Sequence, residues 1–227
     1  MIKGFLFCLF RRYNTSDMKK YDLYLFDFDG TLVDSFDSLI DIFTLSFGKI
    51  GISVKAEDCV RYSRQPLETT YEELNAPWDR VKEFEDAIRY YLYDEEILKK
   101  TKLYPETKEV LKHMHENGYK FGIVTSNNEK HVLDVLSFLD IPKEYFLIFV
   151  DSDKVRDTKP SPKPILYALE ELGYMDRRNE VVYIGDGLND MISANRSGVD
   201  AILVDRINAF EDSKDFLKVH NLNEIFD

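Results

Sequence analysis

The stretch "LYLFDFDGTLVDS", residues 23–35, decides how this chain is read. An apolar run stops at two aspartates one residue apart, Asp27 and Asp29, and Gly30 and Thr31 then punctuate the chain instead of extending it. Residues two apart in an extended chain point to the same side, so both carboxylates can address one group. Like charges this close are unfavourable unless a cation neutralises them or one acid keeps a proton.

Working outward, "DLYLFD" (22–27) is the first of five similar runs. The others are "KFGIVTS" (120–126), "FLIFVD" (146–151), "VVYIGD" (181–186) and "DAILVD" (200–205). Each is short, continuously apolar and rich in β-branched or aromatic residues, the pattern of a strand buried on both faces. Between them lie stretches with helical spacing. "PETKEVLKHMHENG" (105–118) has Pro105 in its first turn and Gly118 after its last. "SPKPILYALEELG" (161–173) carries Ile165, Leu166, Leu169 and Leu172 on one stripe, with Gly173 behind it. Alternating strand and helix predicts the α/β class, with a Rossmann-like parallel sheet core and helices on both faces.

Residues 36–103 break that rhythm. They hold no comparable strand run, and both "FDSLIDIFTLSFGKIG" (36–51) and "PWDRVKEFEDAIRYYLYDEEILKK" (77–100) have helical spacing. The expected organisation is a flexible extension over 1–20, an α/β core over 21–35 and 104–227, and an inserted all-helical domain over 36–103. Gly51 and Pro66 should divide the insert into at least three pieces.

Composition excludes several partners. Lys and Arg number 30 against 42 Asp and Glu among 227 residues, a net charge of −12, which opposes attraction to nucleic acid or anionic lipid. Two cysteines, Cys8 and Cys59, form no disulfide framework or zinc spacing, so a reducing, cytoplasmic location is expected. The apolar run from Phe5 to Phe10 is shorter than a signal-peptide core, is followed by Arg11 and Arg12, and falls well below a bilayer-spanning length. Met18, just before the first strand run, is a natural start of the functional unit, and residues 1–17 read as an extension.

Parallel strands gather their C-terminal ends along one sheet edge, where open α/β folds bind ligands. In this chain those ends carry Asp27, Thr125, Asp151, Asp186 and Asp205. Any one of them could simply cap the following helix. Capping alone explains neither Asp29 beside Asp27 nor Asp190 four residues after Asp186. A hard divalent ion does, since Mg²⁺ takes oxygen ligands from a few carboxylates together with a substrate phosphate. A calcium loop of EF-hand type is excluded, because Thr31 and Leu32 occupy the positions where it needs an acid and a glycine.

"DFDGTLVDS", "GIVTSN", "KPSPKP" and "VVYIGDGLND" together resemble the four motifs of the haloacid dehalogenase superfamily, in order and at fitting spacing over about residues 22–205. The insert is similar to the cap domain of the phosphoglycolate phosphatase and β-phosphoglucomutase branch. The resemblance implies that Asp27 is the nucleophile that becomes an aspartyl phosphate, and that Asp29 is the general acid and later the base. It further implies that Thr125 and Lys159 meet phosphoryl oxygens. Asp27, the backbone carbonyl of Asp29, Asp186 and Asp190 would hold Mg²⁺, while Gly30, Ser126 and Asn127 would line the phosphate site. Asn189 is a second choice within its loop, and Asp151 and Asp205 read as caps or loop acids. His113, His115, His131 and His220 form no metal-spaced cluster and read as solvated or core residues.

The second aspartate argues against the superfamily's dehalogenases, whose halide leaving group needs no proton, and against its phosphonatases, which use a cap lysine. The β-phosphoglucomutases use a cap histidine, and residues 36–103 contain none. Hydrolysis of a small phosphorylated metabolite is therefore expected, phosphoglycolate phosphatase-like in type, with a phosphomutase or a non-catalytic phosphometabolite-binding descendant as the alternatives. In the stretch that resembles the substrate-facing cap loop, Arg64 stands where a glycine is common, so Arg64 or Arg61 could meet an anionic part of the substrate.

Overall fold

The computed structural model describes residues 21–64, 67–210 and 216–226, the side chain of Arg64 excepted. The expected extension over 1–20, with Cys8 and Met18, therefore lies outside the described residues, as does Pro66.

The first strand, β1, runs Leu23–Phe26, and a two-residue strand, β2, follows at Val33–Asp34. Helices α1 (Phe36–Lys49), α2 (Ala56–Arg64), α3 (Leu67–Leu74), α4 (Val81–Leu92) and α5 (Glu95–Leu98) come next. The chain then returns through β3 (Lys102–Leu103) and continues with α6 (Thr107–Glu116), β4 (Phe121–Val124), α7 (Glu129–Phe138), β5 (Phe149–Val150) and α8 (Lys163–Leu172). It finishes with β6 (Val181–Gly185), α9 (Leu188–Ser197), β7 (Asp200–Val204) and β8 (Leu217–Val219).

Six strands pair in the order β5-β4-β1-β6-β7-β8, and every pairing is parallel. The period of two places Leu23 and Leu25 on one face and Tyr24 and Phe26 on the other. Tyr24 and Phe26 join Val110, Leu111 and Met114 of α6 and Val132, Val135 and Leu136 of α7 in one apolar cluster. Leu23 and Leu25 join Ile165, Ala168 and Leu169 of α8 and Ala194 of α9 in another. Both faces of the sheet are thus covered, which is why its strands read as uninterrupted apolar runs. The chain leaves β1 toward β4 and β5, then crosses back to lay β6 on the opposite side of β1, so the reversal of strand order falls between β1 and β6.

Between β2 and β3 the described residues form helices and turns. They have their own apolar cluster, built on Phe47, Ile50, Tyr71, Ala76 and Phe84. The chain enters and leaves this segment side by side, because β2 and β3 pair antiparallel, Val33 opposite Leu103 and Asp34 opposite Lys102.

Gly51 follows the end of α1 with φ of +81°, a conformation glycine takes without steric cost. Other expectations change in detail. The stretch 77–100 is not one helix: α4 ends at Leu92, and the Asp94 carboxylate accepts from the N–H groups of Glu96 and Ile97, starting α5 afresh. The strands β2, β3 and β8 have no counterpart among the five expected runs.

Candidate active site

The strand order turns back between β1 and β6, and the first residues beyond those strands are Asp27 and Asp186. Asp190 sits in the first turn of α9, one turn after Asp186, and carboxylate oxygens of Asp27, Asp186 and Asp190 all lie within 4.8 Å of one another. Glycines make this approach possible. A Cβ on Gly30, whose φ is +80°, would fall 2.2 Å from Oδ2 of Asp186, and one on Gly185 would fall 2.4 Å from Cγ of Asp190.

Lys159 enters this cluster from the loop before α8. Its buried Nζ donates to Oδ1 of Asp27 at 2.6 Å, Oδ1 of Asp190 at 2.6 Å and the hydroxyl of Tyr183 at 2.9 Å, so all three of its hydrogens are used. Tyr183 passes its own hydrogen to the carbonyl of Val124 at 2.8 Å, tying β6 to β4 beneath the site. Burial pushes the Asp27 carboxyl well above the usual range, Lys159 pulls it down, and the negative charges of Asp190 and Asp186 push it up again. Burial alone would strip the proton from Lys159, yet Asp190 and Asp27 overcome that and hold its pKa well above the ordinary lysine value. Burial likewise raises Tyr183 and keeps the phenol neutral.

These residues fit a divalent cation. The donors are all hard oxygens, and three carboxylates face one ammonium, leaving two negative charges to be balanced. Asp29 is not part of the trio: its side chain turns aside to accept from Nδ2 of Asn127 at 2.5 Å.

Asp27, Asp29, Gly30, Thr125, Ser126, Asn127, Lys159, Asp186 and Asp190 line a single cleft of about 310 Å³. Thr125 Oγ1 accepts from the N–H of Asn127 at 3.1 Å, which leaves the hydroxyl hydrogen for another acceptor.

The profile of the haloacid dehalogenase-like hydrolase family matches residues 24–204, spanning every residue of this cluster. The chain belongs to that family. It is 32% identical over 183 residues, 79% of this chain and 80% of the other, to a protein of Caldanaerobacter subterraneus named for pyrophosphatase PpaX. A phosphoglycolate phosphatase of Photorhabdus laumondii is 28% identical, with 76% of this chain and 75% of that one aligned. Among solved structures, a haloacid dehalogenase-like hydrolase from Bacteroides fragilis superposes with a TM-score of 0.79 at 26% identity, covering 91% of this chain and all of that one, 100%.

Within this family frame, the secondary expectations sort themselves by geometry. Asn189 lines the cleft as well. Asp151 caps the turn after β5 by accepting from Asp153 and Lys154, and Asp205 accepts from Ala209 and Phe210, so both are loop acids. Arg61 is committed to Glu73 and Asp58 on the surface and does not line the cleft. The Arg64 side chain lies outside the described residues. His113 pairs with Asn117, His115 stacks on Tyr145, and His220 meets the Asp205 carbonyl, so none of the three is in the cleft.

Two residues at the site escape a reading of motifs. Tyr183 is indistinguishable in sequence from any aromatic in a buried strand, and only its register beside β1 brings its hydroxyl under Lys159. His131 is buried, as a core histidine should be, but its ring also lines the cleft and lies 3.3 Å from the carbonyl of Leu92. Asn128, the cap of α7, accepts from the hydroxyl of Tyr93 at 2.6 Å, so α7 meets the end of α4 twice. No helix among the described residues is long and apolar enough to cross a membrane.

Proposed function

We propose that this protein is a Mg²⁺-dependent phosphatase that hydrolyses a small phosphorylated metabolite through an aspartyl-phosphate intermediate. The observation carrying this reading is the joint placement of Asp27 and Asp29 at one cleft, with Lys159 binding Asp27 to Asp190. Curated relatives named as a pyrophosphatase and a phosphoglycolate phosphatase support phosphoryl transfer to water as the reaction class.

Asp27 attacks phosphorus, forming an Oδ–P bond as the ester P–O bond breaks. Asp29, oriented by the amide of Asn127, gives its proton to the departing alkoxide. The same carboxylate then takes a proton from water, whose oxygen attacks phosphorus and breaks the bond to Asp27, releasing phosphate and restoring both acids. Lys159 holds Asp27 in position and offsets negative charge on the phosphoryl group, while Thr125 donates its hydroxyl hydrogen to a phosphoryl oxygen. Gly30, Ser126 and Asn127 line the floor that receives the phosphate. Asp27, Asp186, Asp190 and the Asp29 carbonyl are the proposed ligands of Mg²⁺, which when bound supplies positive charge against the phosphoryl oxygens. Residues 36–103 act as a cap that closes the cleft and excludes water from the intermediate.

The test is phosphate release from 4-nitrophenyl phosphate. Wild type should require Mg²⁺, and Asp27→Asn should lower the rate by at least about a thousandfold, a loss typical of removing a nucleophile. Equal rates for the two proteins would overturn the proposal. A parallel assay for isomerised sugar phosphate separates a mutase, which would return phosphate to its substrate.

A further inference from the structure

The two walls of the cleft differ in chemistry. The floor, from the sheet edge, is crowded with carboxylates, whereas the described side chains that residues 36–103 contribute carry no charge at all. Helix α1 presents Phe36, Leu39 and Phe43, and α4 presents Ile88 and Leu92, each set spaced to share one helical face. Phe43 and Ile88 pack on the edge of the apolar cluster of this segment. Leu39 and Leu92 belong to none of the three apolar clusters, so their apolar surface serves the cleft and not a core.

The hydroxyl donors among the described residues of this wall are already spent. Ser38 Oγ lies 2.9 Å from the Ile97 carbonyl and 2.8 Å from Thr101 Oγ1, an arrangement that uses the hydrogens of both hydroxyls. Ser63 donates to the Val60 carbonyl at 2.8 Å. An anionic leaving group such as a carboxylate or a second phosphate would lie against leucines and a phenyl ring, with Asp29 and the carboxylate trio opposite. Desolvating that charge without a partner is costly, whereas an apolar group loses nothing there.

We infer that the specificity of this cleft is for phosphomonoesters of alcohols with a neutral, predominantly apolar body, the phosphate resting on the acidic floor and the carbon skeleton against Leu39, Ile88 and Leu92. The inference rests on the phosphatase reading and adds the class of leaving group to it. It sets the chain apart in substrate from relatives named for phosphoglycolate and pyrophosphate.

The experiment compares kcat/KM for ethyl, butyl and hexyl phosphate with that for phosphoglycolate and pyrophosphate, in Mg²⁺, on wild type, Leu39→Lys and Arg64→Ala. Wild type should gain about fourfold per added methylene, the value of burying one CH₂, and should prefer butyl phosphate to phosphoglycolate. Leu39→Lys, with its fold checked by thermal melting, should lose at least about tenfold on hexyl phosphate and gain on phosphoglycolate. A flat or falling alkyl series, or a wild-type preference for phosphoglycolate, overturns the inference, and Arg64→Ala then shows whether that arginine is the cause. Either outcome leaves the phosphatase reading standing, since that reading is judged separately by the Asp27→Asn comparison on 4-nitrophenyl phosphate.

Discussion

Lys159 Nζ and Asp27 Oδ1 meet at 2.6 Å although 132 residues separate them in the chain. The pair is buried, and Asp190 on the other side of the ammonium is buried too, so the lysine is an internal counterion to both carboxylates. Lys159→Met should lower kcat by about a hundredfold to a thousandfold, the usual loss when a preorganised charge is removed from a phosphoryl site. It should also leave three carboxylates short of positive charge, so Mg²⁺ should raise the melting temperature of the variant more than that of wild type. Differential scanning fluorimetry with Mg²⁺ and with EDTA checks this, and equal shifts would count against a shared charge balance.

Gly185 is the last residue of β6, and an added Cβ would lie 2.4 Å from Cγ and 2.7 Å from Oδ2 of Asp190. The carboxylate would have to swing away from Lys159 and from its two acidic neighbours. Gly185→Ala should therefore raise the Mg²⁺ concentration for half-maximal activity by about tenfold or more, comparable to the loss of a group that orients a metal ligand. A Mg²⁺ titration of phosphate release reads this directly. An unchanged midpoint would mean that Asp190 does not set metal affinity.

How much of this was legible in the sequence depends on the kind of residue. The strands β1, β4, β5, β6 and β7 are buried on both faces, so each left an apolar run, and the residue after each run is the polar group at the sheet edge. β8 spans only Leu217–Val219 with Lys218 at its centre, and β2 and β3 pair with each other outside the six-stranded sheet and each hold a charged residue, Asp34 and Lys102, so none of the three left an apolar run. The break between α4 and α5 hung on the side chain of Asp94 turning back to two N–H groups, a choice that helical spacing over 77–100 does not reveal. Asp27, Asp186 and Asp190 stood out because like charges at strand ends demand a reason. Tyr183 and His131 did not, because a buried aromatic and a buried histidine are unremarkable until strand register and helix packing show what they face.

Tyr93 and Asn128 connect the helical segment to the start of α7. Besides the 2.6 Å hydrogen bond, Lys130 Nζ lies 4.8 Å from the centre of the Tyr93 ring, and Leu92 meets His131 next door. Tyr93 is 37% exposed, so Tyr93→Phe should cost less than about 1 kcal/mol of stability, in line with one partly solvated hydrogen bond. Its effect should fall on substrate capture. KM should rise about threefold to tenfold while kcat changes by less, because the contact holds α4 over the cleft without touching the reacting atoms. Steady-state kinetics on 4-nitrophenyl phosphate distinguishes this from a purely structural role, which would move the melting temperature and leave KM alone.

Acid sensitivity should be carried in part by Glu106, which is outside the carboxylate trio. Its nearly buried carboxylate accepts from Nη1 of Arg206 at 2.6 Å and from the Leu222 N–H at 3.1 Å, joining the start of α6 to the loop after β7 and to the C-terminal turn. Burial raises its pKa, but the Arg206 hydrogen bond, the backbone hydrogen bonds and the arginine charge together outweigh burial and hold it below the ordinary value of 4.5. A folded-state pKa below the unfolded one means that the native protein binds the proton less readily, so the stabilisation is complete above about 4.5 and is lost as pH falls through the lower, folded value. Glu106→Gln keeps an acceptor and removes the charge. Near pH 7 it should melt lower than wild type by an amount worth about 1–3 kcal/mol, the usual scale for a charged hydrogen bond. The gap should close as both proteins are taken below about pH 4, because wild type then loses the same charge by protonation. A melting series across that range decides the point: a gap that stays constant into acid would show that Glu106 contributes through shape and not through its ionised form.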